Sequence, residues 1–163
     1  MQSNSNYKDL LKNFNDAGLR YLVVGGYAVM KYTEPYLTKD LEVWIDPAPE
    51  NAGIAFAALA RFGAPLSSVT VEDLITPDII YQVGVDYNRI DVISHLPGIT
   101  FGEAWSRHEI LDYDGVPAPV LADDDLIVTK RAAGRKRDLL AVEAILKAKS
   151  LKNKKGGRSN KEV

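Results

Sequence analysis

The sequence predicts a single α+β domain, in which a small mixed sheet is flanked by helices. Segments with helical spacing alternate along the chain with short β-branched or alternating segments, which is typical of this fold class. The 163 residues, of which 46% are hydrophobic, suffice for one domain with a substantial core. We assign residues 1–149 to this domain. Residues 150–163 form a basic tail without apolar periodicity, which we expect to be disordered.

Two helices and one strand are predicted before Pro35. Residues 7–16 have apolar side chains at helical spacing, and Gly18 suits the end of that helix. Residues 21–24 are a short apolar strand that leads directly into a glycine pair. Residues 27–32 are predicted to form a helix that ends before the proline.

A strand, a helix and a short turn are predicted next. Residues 38–46 read TKDLEVWID, and from residue 40 onwards acidic and apolar side chains alternate with a period of two. This alternation predicts a strand with one buried face. Pro49 suits the first turn of a helix that continues through the segment IAFAALARF. A single helical turn is predicted at residues 71–75.

Two hairpins and three helices are predicted in the second half. The β-branched segments 79–85 and 89–94 flank the turn residues Asp86-Tyr87-Asn88. A second hairpin joins residues 109–113 to 116–120 through Asp114-Gly115. The remaining segments have helical composition, and helices are predicted at residues 101–107, 122–133 and 138–149.

The composition excludes several classes of site. The chain has no cysteine and only two histidines, which excludes disulfides and cysteine-liganded zinc and leaves few candidates for a histidine-based triad. The net charge of -2 gives no global basic character. There is no apolar run of the length that spans a membrane, and the first residues do not resemble a secretory signal. We therefore expect a cytoplasmic protein without a membrane partner.

Two acidic side chains share one face of the alternating strand. Asp40 and Glu42 are separated by one residue, so they point to the same side of the strand, about 6–7 Å apart. A solvated sheet face explains such a pair, and so does a divalent cation held between the carboxylates. Upstream, Gly25-Gly26 connects a strand to a helix, where backbone N–H groups are free to approach an anion.

A third carboxylate and a basic cluster would complete a site. Asp91 lies on a later β-branched segment, and it joins the pair if that strand neighbours residues 40–46 in the sheet. Carboxylate, water and phosphate oxygens together favour magnesium or manganese. The basic cluster, which could face the phosphates of a ligand, consists of Lys130, Arg131, Arg135 and Lys136.

The order of these features resembles the nucleotidyltransferase superfamily with the polymerase-beta-like fold. Members of that family have a Gly-Gly or Gly-Ser turn, then Asp-x-Asp or Asp-x-Glu, then a later acidic residue. Gly25-Gly26, TKDLE and Asp91 follow this order. The segment FGEAWSRHEILDYDGVPAPVLADDDLIVTKRAAGRKRDLLAVEAIL is similar to a small bacterial branch that includes AbiEii-type toxins and toxin–antitoxin nucleotidyltransferases. The resemblance covers about residues 7–147. Many members have serine at the position of Gly26, and aspartate is commoner at that of Glu42.

The resemblance implies a nucleotidyltransferase that uses Mg²⁺ or Mn²⁺ and a nucleoside triphosphate. The nucleotide would pass to a hydroxyl acceptor with release of pyrophosphate, and Asp91 would orient or deprotonate that acceptor. Arg89 is expected to form a salt bridge with Asp91. The resemblance assigns metal binding to the three carboxylates and phosphate binding to the glycine pair and one lysine, that is, to Asp40, Glu42, Asp91, Gly25, Gly26 and Lys130.

The acceptor stays open, because a fold does not determine it. The basic tail favours RNA or protein as the acceptor, as in toxin–antitoxin members, and a toxin or antitoxin partner is then expected. A small hydroxylated acceptor, as in antibiotic-modifying members, would require a second subunit such as a homodimer partner. A non-catalytic nucleotide-binding antitoxin or regulatory module is the third alternative, and the three carboxylates argue against it.

Overall fold

A computed structural model describes residues 3–159, with side chains up to residue 156. This part of the chain forms six α-helices, one 3-10 turn at Glu72–Ile75 and one six-stranded mixed sheet. The helices are α1 (Ser5–Asp16), α2 (Gly25–Tyr32), α3 (Pro49–Phe62), α4 (Phe101–Arg107), α5 (Asp123–Ala133) and α6 (Lys136–Ser159). The strands are β1 (Tyr21–Val24), β2 (Asp40–Ile45), β3 (Tyr81–Val83), β4 (Arg89–Ile93), β5 (Glu109–Tyr113) and β6 (Val116–Val120). Within residues 3–159, no helix combines the length and the apolar character that a membrane crossing requires.

The strand order in the sheet is β3-β4-β2-β1-β6-β5. The two predicted hairpins, β3 with β4 and β5 with β6, are antiparallel and form the two edges. In the centre, β1 is antiparallel to β2 and parallel to β6, and β2 is parallel to β4. The predicted mixed sheet flanked by helices is therefore confirmed.

Strand β2 lies inside the sheet and changes from buried to partly exposed along its length. Leu41, Val43 and Ile45 are fully buried, as the alternation predicts. On the opposite face, Trp44 is also buried: its Nε1 donates to the carbonyl of Ser94 at 2.8 Å. The amino-terminal half of this face carries the acidic side chains, which are only partly buried. The acidic face is thus closed at one end by a tryptophan and open at the other.

Helices α1, α2 and α6 each begin two residues earlier than predicted, at Ser5, Gly25 and Lys136. Helix α2 begins at Gly25 rather than at residue 27, because glycine readily adopts the φ of +65° found at this junction. Helix α6 begins at Lys136 and continues to Ser159, so residues 150–159 are helical rather than disordered. Lysine is a good helix former, and cations near the carboxyl end of a helix complement its dipole. The last four residues of the predicted tail, 160–163, lie outside the described residues.

Candidate functional site

The sheet brings the three predicted carboxylates onto one face. Strands β2 and β4 are paired in a register that places Glu42 beside Asp91 and Asp40 beside Arg89. Side chains that are paired across parallel strands point to the same face, and the strands lie about 5 Å apart. The condition under which Asp91 joins the acidic pair, that these two strands are neighbours in the sheet, is therefore met. We call the side chains of Asp40, Glu42 and Asp91 the acid cluster.

Two carboxyl groups of the acid cluster, those of Glu42 and Asp91, have a raised pKa. Burial, followed by repulsion from Asp40 and Asp91, raises the pKa of Glu42 to about 7. Burial also raises the pKa of Asp91, and the neighbouring Asp40 carboxyl adds to the rise while Arg89 opposes it. A ligand that brings positive charge to the cluster would stabilise the ionised carboxylates.

Arg89 is a cation in direct contact with the acid cluster. Its Nε donates to Asp91 Oδ1 at 3.0 Å, and its Nη2 donates to Asp91 Oδ2 at 3.3 Å and to Asp40 Oδ2 at 3.4 Å. Its Nη1 donates to Asp86 Oδ1 at 3.0 Å. Gln82 also donates to Asp91 Oδ2, at 3.4 Å. The expected salt bridge between Arg89 and Asp91 is confirmed, and it belongs to a wider network that the sequence did not indicate.

The glycine pair lies against the acid cluster at the start of α2. Val24 is paired with Glu42 across β1 and β2, which places Gly25 close to that carboxylate. A Cβ on Gly25 would lie 2.5 Å from Glu42 Oε2, and a Cβ on Gly26 would lie 2.7 Å from Thr38 Oγ1. A side chain at either position would therefore require the neighbouring Glu42 or Thr38 side chain to shift. Glycine at both positions brings the backbone next to the acid cluster.

A buried aspartate holds two cations on the other side of Glu42. Asp138, in the first turn of α6, is 2% exposed; it accepts a hydrogen bond from Arg135 Nε at 2.7 Å and lies 3.6 Å from Lys130 Nζ. Burial disfavours its charge, but Arg135 and Lys130 outweigh burial and lower the pKa of Asp138. The same two cations favour the ionised form of Glu42. Asp138 therefore positions positive charge toward the acid cluster.

Asp138 is a residue of the site that the sequence pattern does not predict. Its carboxylate also accepts a hydrogen bond from the backbone N–H of Arg135 at 3.2 Å, which satisfies a free donor at the start of α6. The available signal was an acidic residue three positions after Arg135, at the amino end of the last helix. That spacing is common at ordinary helix caps, so it does not by itself indicate a functional residue.

The three carboxylates, the glycine pair and Lys130 all line one open cleft, whose volume is about 1800 Å³. The acid cluster and the glycine pair lie on the sheet side, and Lys130 and Arg135 lie on the helical side. Arg131 and Lys136, the other two members of the predicted basic cluster, do not line the cleft. The cleft therefore places acidic and cationic groups opposite each other, with glycine backbone beside them.

The acid cluster has the donor chemistry of a magnesium or manganese site, because carboxylates supply only hard oxygen ligands. Among the residues with described side chains, Arg89 is the guanidinium in contact with the acid cluster, and its one positive charge does not balance three ionised carboxylates. The present arrangement is nevertheless an ion-pair network: among the described residues, no group of three or more His, Cys, Asp or Glu side chains is arranged to hold a metal ion. Metal binding therefore stays a prediction that rests on the chemistry of the donors.

No protein-family model and no curated protein matches this chain. The function of the chain is therefore inferred from the site itself: three carboxylates on adjacent strands, a glycine pair against one of them, and two cations held by Asp138. Such a combination suits a ligand that carries phosphate groups together with a divalent cation, because each part of that ligand finds a partner of opposite charge.

Proposed function

We propose that the chain is a nucleotidyltransferase with the polymerase-beta-like fold. It moves a nucleoside monophosphate from a nucleoside triphosphate to a hydroxyl acceptor and releases pyrophosphate. The observation that carries the proposal is the register of β2 with β4, which sets Glu42 beside Asp91, next to Gly25 and within the field of Lys130 and Arg135. The resemblance in sequence to that family supports the same activity.

The acid cluster would hold the divalent cation. Asp40, Glu42 and Asp91 are the residues that fit Mg²⁺ or Mn²⁺, which, when bound, supplies positive charge to the entering and leaving oxygens of an in-line displacement. The carboxylates must be ionised to bind it. Since burial and repulsion raise the pKa of Glu42 to about 7, cation binding should weaken as the pH falls below 7.

The residues around the acid cluster would bind and orient the two substrates. In the reaction, the acceptor oxygen forms a bond to the α-phosphorus, and the bond from that phosphorus to the pyrophosphate oxygen breaks. Asp91 would orient the acceptor hydroxyl and accept its proton. Lys130 and Arg135 would balance the charge on the departing pyrophosphate. The backbone N–H groups at Gly25 and Gly26 would bind the phosphates.

Gly25→Ala is expected to weaken triphosphate binding by about tenfold or more, which corresponds to about 1.4 kcal/mol. The added Cβ would lie 2.5 Å from Glu42 Oε2, and the φ of +65° is unfavourable for alanine, so the carboxylate and the backbone must both shift. Isothermal titration with a non-hydrolysable triphosphate and Mg²⁺ measures the change. Gly53→Ala is the control, because a Cβ at Gly53, on α3, has no atom within 4 Å. Unchanged affinity in Gly25→Ala would contradict the assigned phosphate contact.

The cleft has more room than a triphosphate needs, and three lysines of α6 line part of its remaining wall. Its volume of about 1800 Å³ exceeds the roughly 300–1,000 Å³ of small-ligand sites. Lys147, Lys152 and Lys155 line it from one side of α6 and are exposed. Among residues with described side chains, no carboxylate forms an ion pair with any of these three lysines. We therefore propose RNA as the acceptor. A sugar-phosphate chain supplies both a hydroxyl group and negatively charged phosphates that can pair with the lysines.

The triple variant Lys147→Gln, Lys152→Gln, Lys155→Gln is expected to lose most of its affinity for single-stranded RNA. Each lost phosphate contact lowers the slope of log affinity against log salt by about 0.7, so the slope should fall by about 2. Fluorescence anisotropy with a labelled oligonucleotide at several salt concentrations measures both quantities. The matched control is Lys8→Gln, Lys12→Gln, Arg61→Gln, which removes equal charge from α1 and α3, away from the cleft. Equal losses in the two triple variants would contradict a specific RNA surface.

Label transfer tests the proposed activity directly. The pure protein is incubated with each α-labelled triphosphate, Mg²⁺, and either total RNA or cell lysate. Label on RNA is the expected result, and label on protein would replace RNA by a protein acceptor. Label on a small molecule would support the antibiotic-type alternative. Tight triphosphate binding without any transfer would instead indicate the non-catalytic module, and robust transfer in EDTA would contradict the role of the metal.

A further inference from the structure

We propose that Arg89 is the resident counter-ion of the acid cluster, and that its guanidinium leaves Asp40 when a divalent cation binds there. The inference rests on the proposed function, and it describes how the same site is held together before the cation arrives. Arg89 would then be a positioning residue: it organises the carboxylates but contacts neither substrate in the reaction.

The guanidinium of Arg89 lies between Asp40 and Asp91, where a cation shared by these two carboxylates would bind. Its Nη2 is within 3.4 Å of Asp40 Oδ2 and 3.3 Å of Asp91 Oδ2. An ion shared by those two carboxylates would approach their oxygens to about 2.1 Å, which leaves no space for a nitrogen atom between them. Arg89 and a shared cation therefore compete for the same place. The competition is present at every working pH, because arginine stays protonated in proteins.

Arg89 also balances part of the negative charge of the acid cluster. Asp40, Glu42 and Asp91 lie together on one face of the sheet, and Glu42 is paired with Asp91 across β2 and β4. Arg89 is the cation in hydrogen-bond contact with two of these carboxylates and is only 28% exposed. Without it, the cation-free cluster would have more unbalanced charge at a partly buried position, which destabilises the fold.

The contacts around Asp86 show where the guanidinium can go. Arg89 Nη1 already donates to Asp86 Oδ1 at 3.0 Å, and the Asp86 side chain is 51% exposed at the edge of the site. The turn that carries Asp86 is tied to the start of β2, because the N–H of Tyr87 donates to the carbonyl of Lys39 at 2.7 Å. Arg89 can therefore leave Asp40 and keep Asp86 as its partner, so its displacement does not leave the guanidinium unpaired.

Arg89→Gln should bind Mn²⁺ more tightly than the wild type while being less stable without it. The dissociation constant for Mn²⁺, measured by electron paramagnetic resonance of the free ion without nucleotide, should fall about tenfold, since one competing charge is removed. In EDTA the melting temperature should fall, and saturating Mn²⁺ should raise it by more than in the wild type. Arg89→Lys should lie between the two, because an ammonium keeps the charge but cannot bridge several carboxylates.

Arg107→Gln is the matched control. Arg107 donates to the buried Asp125 at 3.0 Å, and neither residue lines the cleft, so this change removes an arginine from a buried aspartate elsewhere. Its Mn²⁺ affinity should equal that of the wild type. If Arg89→Gln is too unstable in EDTA, the comparison of Arg89→Lys with the wild type still tests the competition.

The outcomes separate this inference from the proposed function. Mn²⁺ binding by the wild type that is unchanged or weaker in Arg89→Gln and Arg89→Lys would overturn the inference alone, because Arg89 would then support the metal ligands rather than compete with the ion. Absence of Mn²⁺ binding in the wild type and in both Arg89 variants would overturn the metal mechanism and the inference with it. A rise in affinity that the Arg107 control shares would also overturn the inference.

Discussion

Asp91→Asn should lower the rate of nucleotidyl transfer by about 10²–10⁴-fold, the range for loss of a positioned acid–base group. The amide has nearly the shape of the carboxylate, and it can still accept hydrogen bonds from Arg89 and Gln82, which donate to Asp91 in the wild type. It cannot accept the acceptor proton, and it is a poorer ligand for a hard cation. The reaction is followed by pyrophosphate release at saturating Mg²⁺ and triphosphate.

The control for this prediction is Asp9→Asn, at an exposed position on α1 away from the cleft, which should keep wild-type activity. Circular dichroism and the melting temperature establish whether the Asp91 variant is folded. Asp40→Asn should show a comparable loss, because Asp40 belongs to the same acid cluster. If folded Asp91→Asn protein retains full Mg²⁺-dependent transfer, Asp91 is not part of the catalytic site.

Glu42→Gln should abolish transfer and yet stabilise the metal-free protein at pH 8. The pKa of Glu42 is about 7 in the folded chain, against 4.5 for an unperturbed glutamate. Between these two pH values the folded state holds a proton that the unfolded state has released, so wild-type stability falls as the pH rises through this window. This difference in pKa corresponds to roughly 3 kcal/mol of destabilisation by the ionised side chain above pH 7.

Urea unfolding in EDTA from pH 5 to pH 8 measures this effect. The free energy of unfolding of Glu42→Gln relative to the wild type should rise with pH by an amount on the order of 3 kcal/mol, since glutamine carries no charge to repel Asp40 and Asp91. The exposed Glu143→Gln, on α6, should show no such rise. A flat difference between Glu42→Gln and the wild type would show that Glu42 titrates as an exposed carboxyl, and that the cluster is not under repulsion.

Local pattern was sufficient to predict most elements and to identify the carboxylates and the glycine pair of the candidate site. The alternation in TKDLEVWID identifies β2 and the common face of Asp40 and Glu42, because side-chain direction in a strand depends only on position along it. Asp114-Gly115 likewise identifies the turn between β5 and β6. Helix α6 was predicted too short, because its lysine-rich end has no apolar periodicity that would distinguish a helix from a tail.

The partners of the site residues were not predictable from local pattern. Arg89 was expected to contact Asp91, two positions away, but its contact with Asp40 requires β4 to lie beside β2, although β3 and α3 separate them in the chain. Asp138 was assigned no role, because its importance comes from burial against Lys130 and Arg135. Such contacts are set by packing between distant segments.

The sequence by itself therefore determined which side chains are available and which way they point within each strand or helix, because both depend on backbone periodicity over a few residues. It identified Asp40, Glu42 and Asp91 as candidates and the glycine pair as a close approach of the backbone. Only the tertiary structure decided that β4 lies parallel to β2 in a register that sets Glu42 beside Asp91. The tertiary structure also showed that Arg89 lies between two of these carboxylates. The sequence could not show this, because the lateral order of the strands depends on burial of the whole core.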